Sequence, residues 1–129
     1  MISPTPSARP ECIRVMVIDS DDRLSKDLSR DLGDRIGARV ECIKQLTLNG
    51  LRPSFHVLIV NQEADPGLES LRTLREKWSE QEVPVIVVGN DDAGEIVAIR
   101  AGASQFVDRS MHPDSGLIEK LVYGLAYDR

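Results

Sequence analysis

Four polar clusters interrupt an otherwise apolar rhythm: Asp19-Ser20-Asp21-Asp22, then Asn61 with Gln62 and Glu63, then Gly89-Asn90, and last Asp108-Arg109-Ser110. Each follows directly on a short run of β-branched and aliphatic residues. In open α/β sheets the carboxyl ends of the strands are where ligands and chemistry gather. Carboxylates such as Asp19 are the groups a Mg²⁺ site needs, and Arg109 offers a planar guanidinium fork. Asn61, at the end of a wholly uncharged run, is a neutral amide and a poor nucleophile. These tips form a reaction centre, the remnant of one, or a set of turns.

The elements that must position them can be read from periodicity. Strands are expected over 12–19, 38–43, 55–60, 83–89 and 104–108, the first four with both Val and Ile. Between them run amphipathic stretches. Leu24, Leu28 and Leu32 make one apolar stripe, with Ser20 or Asp21 as the N-cap and Gly33 as the stop. A short, weak helix is expected over 44–51, and another from Leu68 to Trp78 after the Asp65-Pro66-Gly67 turn. The fourth runs over 91–102 and ends at Gly102; the fifth runs over 114–127 on Leu117, Leu121 and Leu125. Strict alternation of strand and helix argues for an α/β fold with a doubly wound parallel sheet and helices on both faces. The polar tips then converge on one crevice.

Composition narrows the function. At 129 residues the chain is one domain over 12–127, with a Pro- and Ser-rich lead-in or linker over 1–11. The lead-in has no apolar stretch of signal-peptide type. A net charge of −5 argues against direct nucleic-acid or anionic-membrane binding, and no apolar run is long enough to span a bilayer. Cys12 and Cys42 lack metal-ligand spacing; Cys42 reads as a small buried hydrophobe in a reduced, cytoplasmic protein. His56 and His112 stand isolated, so no zinc site is expected. Neither GxGxxG nor GxxxxGK is present to cradle a phosphate.

Taken in order, "VMVIDSDD", "HVLIVNQEADPG", "VPVIVVGND" and "AGASQFVDRS" resemble the strand ends of the receiver domains of two-component signalling, over residues 13–126. That resemblance implies a flavodoxin-like, five-stranded sheet of order 2-1-3-4-5. It also implies a chemistry: an Asp ending the third strand accepts a phosphoryl group from a partner histidine. Two acidic residues after the first strand hold Mg²⁺. A Thr or Ser ending the fourth strand and a Lys after the fifth contact the phosphoryl group. An aromatic on the fifth strand, here Phe106, then swings inward.

This chain departs from the pattern at most of those places. Asn61 stands at the acceptor position and cannot form an acyl phosphate. Ser20 replaces the second metal-binding carboxylate, leaving Asp19, with Asp21 one residue further on. Any Mg²⁺ binding is therefore expected to be absent or weak unless Asp21 or Glu63 turns inward. Asp21 and Asp22 also serve the plainer purpose of compensating a helix N-terminus. Gly89 removes the sensing hydroxyl. Arg109 replaces the Lys and either pairs with Asp19 or is solvated. Ser110 stands where a Pro usually follows, and the loop after Asn61 has one extra residue before Pro66.

The expectation is a degenerate receiver, or pseudo-receiver. It is not an enzyme, and it acts by contact with proteins through the face of the fourth helix, fifth strand and fifth helix, including as a homodimer. Glu95, Arg100, Asp108, Glu119 and Lys120 are expected to give that face mixed charge. Two alternatives stand beside it. One is an unusual phosphoacceptor using Glu63, Asp65 or an acidic residue of the first cluster, and the other is a small-ligand site in the crevice. No cofactor is implied beyond weak Mg²⁺. The Met start and lead-in suggest an N-terminal module, either stand-alone or the front of a larger signalling protein.

Overall fold

The computed structural model describes residues 12–20, 22–46, 54–65 and 68–127. Its strands are β1 (Arg14–Ile18), β2 (Arg39–Ile43), β3 (Val57–Asn61), β4 (Val85–Gly89) and β5 (Gln105–Asp108). The described helices are α1 (Arg23–Ile36), α2 (Glu69–Arg75), α3 (Glu95–Ala101), which follows a 3₁₀ turn over Asp92–Gly94, and α4 (Gly116–Tyr127). All pairings are parallel and the order is β2-β1-β3-β4-β5. This is the expected doubly wound α/β sheet. The lead-in over 1–11 lies outside the described residues, as do Asp21 and most of the short helix expected over 44–51. Lys44 to Leu46 are described and are not helical.

Two apolar layers follow from the two-residue period of the strands. Val15, Val17, Val57, Ile59, Ile86 and Val88 point to one face, under Leu24, Leu28 and Leu32 of α1 and Ile118 and Val122 of α4. Ile18, Leu58, Val60, Val85 and Val87 point to the other, under Leu71 and Leu74 of α2 and Ala98 and Ala101 of α3. β3 and β4 are covered on both sides, so Val57 to Val60 and Val85 to Val88 are all buried. This alternation decides where each strand tip sends its polar residues.

The helix ends correct several expectations. Glycine at 33 does not stop α1. The helix runs on to Ile36, and Gly37, at φ 65°, turns left-handed and returns its N–H to the Gly33 carbonyl (3.1 Å). The periodic leucines end at Leu32, but the backbone needs a left-handed residue only where the chain leaves the sheet-facing turn. Neither Ser20 nor Asp21 holds the N-cap position; Asp22 does, in a left-handed conformation and without a side-chain cap bond. Cys42 is exposed rather than buried, because β2 is an edge strand and its end reaches past the cover of α1; its thiol donates to Asp22 Oδ1 (3.4 Å).

At the other end of the molecule Arg75, in the last turn of α2, reaches under the sheet. Its Nε donates to the Gly102 carbonyl at 2.8 Å and its Nη1 to those of Val83 at 2.7 Å and Trp78 at 3.2 Å. Gly102, at φ 108°, is the left-handed cap of α3, and the Arg75 stem lies 2.6 Å from where a Cβ there would sit. Positive charge at the carboxyl ends of two helices also suits their dipoles.

Gly33 lies inside α1, where glycine costs chain entropy, and a Cβ there would meet nothing nearer than the Ala38 carbonyl at 3.7 Å. Gly33→Ala is therefore expected to raise stability by about 0.5–1 kcal/mol, measured as a higher urea midpoint at unchanged slope.

Candidate functional site

The crevice is built by the register of β1 against β3. Val15 pairs with Val57 and Val17 with Ile59, so continuing two residues on sets Asp19 beside Asn61 on the α1 side. Asp19 remains tied to the sheet through its N–H to the Ile43 carbonyl (3.1 Å), and it has no solvent exposure. Such a carboxylate must find donors. Its Oδ2 accepts from the N–H groups of Leu24 (3.0 Å) and Ser25 (3.2 Å), in the first turn of α1. Its Oδ1 accepts from Asn61 Nδ2 (3.0 Å). Asn61 in turn accepts the Glu63 N–H on its Oδ1 (3.1 Å). The amide thus has a partner on each side, and both oxygens of Asp19 are occupied.

Among the described residues the side chain that caps α1 is Asp19, not Ser20 or Asp22; Asp21 lies outside them. A second helix uses the same device. Asp65 Oδ1 accepts from the Glu69 N–H (3.2 Å) and Oδ2 from the Ser70 N–H (3.1 Å), while the Ser70 hydroxyl donates to the same Oδ2. In both cases the residue at the helix start, Asp22 at φ 65° or Leu68 at φ 53°, is left-handed. The turn this makes lets an upstream carboxylate reach the free N–H groups.

Above Asp19 and Asn61 opens a cleft of about 400 Å³, bounded by Arg23 and Asp27 of α1, Glu63, Asn90 and the Arg109–Pro113 loop. Arg109 does not pair with Asp19. Its Nη2 donates to the Pro113 carbonyl (3.0 Å) and stands 4.0 Å from Asp27 Oδ2 of α1. Glu63 accepts from the Asn90 amide at the mouth, and Ser20 is exposed. Asp21 lies outside the described residues. Among those described, no three His, Cys, Asp or Glu side chains group to hold a metal. A divalent cation at Asp19 would compete with Asn61 and the α1 amides for its oxygens, and the described residues add no second carboxylate there.

Past β5, Ser110 donates both its hydroxyl (2.6 Å) and its N–H (2.9 Å) to Asp108 Oδ1. These bonds favour the charged form and hold the Asp108 carboxyl below the usual aspartate range, the hydroxyl contributing most.

The opposite side of the tips was less legible. Strand alternation sends Gln62, Gly89 and Phe106 to the α3 side. A Cβ at Gly89 would sit 2.8 Å from Phe106 Cζ and 2.9 Å from Gln62 Oε1. Phe106 therefore already packs against the place where a sensing hydroxyl would stand. In sequence Gln62 is only one of three polar residues at the tip of β3 and Gly94 carries no signal, although extending the period of β3 by one residue marks Gln62 as the partner of Gly89.

The expected mixed-charge face also differs. Glu95, Arg100 and Lys120 are exposed, but Glu119 turns to Arg35 of α1 (3.5 Å). The fully buried Ile118 and Val122 set the inward face of α4, and Leu117 and Leu121, both half-buried, pack against the same core layer. In α3 the alanines face inward, while Ile96 (63% exposed), Val97 and Ile99 face out. The surface is more apolar than expected.

Comparison with solved structures places this fold among response-regulator receiver domains. A response regulator from Thermotoga maritima matches with a TM-score of 0.69 at 18% identity, covering 89% of this chain and 98% of that one. The beryllofluoride-activated receiver domain of DrrB matches with a TM-score of 0.68 at 22% identity, covering 88% and 97%. Longer DrrB, an OmpR/PhoB homolog of Thermotoga maritima, matches with a TM-score of 0.67 at 22% identity; 92% of this chain aligns with 54% of it. The chain has the receiver fold. No protein-family model and no curated protein matches the sequence.

Two substitutions test the site. Asn61→Ala strips a donor from a buried carboxylate and is expected to cost about 1–3 kcal/mol by urea denaturation. Ser110→Ala is expected to move the Asp108 midpoint up toward ordinary aspartate in a ¹³C-detected titration. The stabilisation from Asp108 is present above the usual aspartate range and fades as pH falls through its lowered midpoint; the variant loses it at higher pH.

Proposed function

We propose that this chain is a pseudo-receiver: a protein-interaction module of bacterial signal transduction, working in the cytoplasm without phosphoryl transfer. The observation that carries this reading is the closed hydrogen-bond set of Asp19, whose oxygens are taken by the α1 amides and Asn61. The acceptor position holds an amide, and the carboxylate that would face a cation is already compensated. Mg²⁺ binding is accordingly weak or absent.

An unusual acceptor gains no support from the nearby carboxylates. Asp65 is committed to the start of α2, and Glu63 to Asn90. A small-ligand site would have the cleft, but Arg109 there is engaged by Pro113 and Asp27. What is left to do work is surface. The β5 edge, flanked by the apolar outer residues Ile96, Val97 and Ile99 of α3, suits a protein partner or a second copy better than water. Surface apolar groups gathered on one side commonly mark such contacts.

The experiment is a titration of ¹⁵N-labelled protein with beryllofluoride and Mg²⁺, which together mimic an aspartyl phosphate. Amides near Asn61, Gly89 and Phe106 are expected to stay still at millimolar ligand. Saturable shifts at all three would overturn the reading.

A further inference from the structure

We propose that Gln62 is a built-in plug, whose side chain fixes the β4–α3 turn and the Phe106 ring in a single arrangement without any ligand. Its N–H still belongs to the sheet, bonding the Val88 carbonyl at 2.9 Å. The side chain crosses the tip of β4, and its Nε2 donates to the Gly94 carbonyl at 3.3 Å. A methyl at Gly94 would land inside the carboxamide. Phe106 closes the same layer from β5, against Gly89.

Backbone conformation does not explain these two glycines. Gly94 has φ −81°, open to any residue, and Gly89 is not among the glycines of positive φ. What excludes a side chain at either place is the room taken by Gln62 and Phe106. Two missing side chains, one carboxamide and one ring therefore fill one close-packed layer, as protein interiors require.

The plug matters because little else draws the start of α3 inward. Asn90 to Ala93 are exposed, and α3 buries only Ala98 and Ala101. The Asp91 side chain accepts the Ala93 N–H (3.0 Å), which shapes the turn locally but does not tie it to the sheet. With Gln62 in place, the outward face of α3 is presented at all times. That consequence rests on reading this face as a partner surface; the plug itself does not.

The chain has two phenylalanines, Phe55 and Phe106, so fluorophenylalanine labelling yields a two-line ¹⁹F spectrum. In Gln62→Ala the Phe106 line is expected to shift and broaden while the Phe55 line stays. Amide exchange over 90–101 should rise at least about tenfold, with β1 and β3 amides unchanged as the control for global unfolding. Gly94→Ala should free the same segment by evicting the carboxamide. In the double variant the new methyl occupies vacated room, so its effect on exchange should largely vanish, a coupling expected of residues in contact. Unchanged exchange over 90–101 in Gln62→Ala, or a Gly94→Ala effect that is the same with and without Gln62, overturns the plug. Neither readout needs a partner or a ligand, so the plug's failure leaves the pseudo-receiver reading intact, and a beryllofluoride response would sink that reading while the plug still stands or falls on the ligand-free exchange data.

Discussion

A carboxylate sealed from solvent must be met by donors on both oxygens, and in this molecule that demand falls on Asp19. The start of α1 supplies two N–H groups that would otherwise lack partners, and the tip of β3 supplies an amide. One side chain thus joins the first strand, the first helix and the third strand. Each partner solves a problem of its own: the helix gains a cap, its positive end gains a negative charge, and Asn61 gains an acceptor. With an Asp at 61, two carboxylates would face each other about where that hydrogen bond now runs, and like charges so placed need a cation or a shared proton between them. The amide removes the need.

The same strand tip acts in two directions. Because successive residues face opposite sides of a sheet, Asn61 goes to the α1 crevice and Gln62 to the α3 side. The two polar side chains therefore serve separate layers, one electrostatic and one steric. Loss of acceptor chemistry on one side does not loosen the other.

The fold was legible because its determinants are local and repeated. Val- and Ile-rich runs, each followed by an amphipathic stretch, dictate a parallel sheet, and the polar tips could be placed at one end of it. Side-chain commitments were harder to read. Gly33 resembles a helix stop in sequence, yet the stop is set four residues on, where the chain must turn left-handed. Arg109 has two anions within conceivable reach, and with Asp19 fully buried it is Asp27 on α1 that it approaches. Glu119 could face either flank of α4, and burial of Ile118 and Val122 turns it toward Arg35, distant in sequence. The stretch "EIVAIRA" suggests that its large residues go inside; the structure puts the alanines there and turns Ile96 and Ile99 outward. Such outcomes depend on the space between layers, which no single segment encodes.

That inverted helix has a mechanical consequence. With so little apolar surface beneath it, α3 is held chiefly at its ends, by Gln62 on the Gly94 carbonyl and by Arg75 on the Gly102 carbonyl. A helix anchored by a broad buried stripe frays turn by turn from its termini. One pinned at both ends, resting on alanines and under two turns long, behaves more like a bar on two brackets, with no interior turn left to hold it. Once either bracket lets go, the whole length is free to lift as a unit.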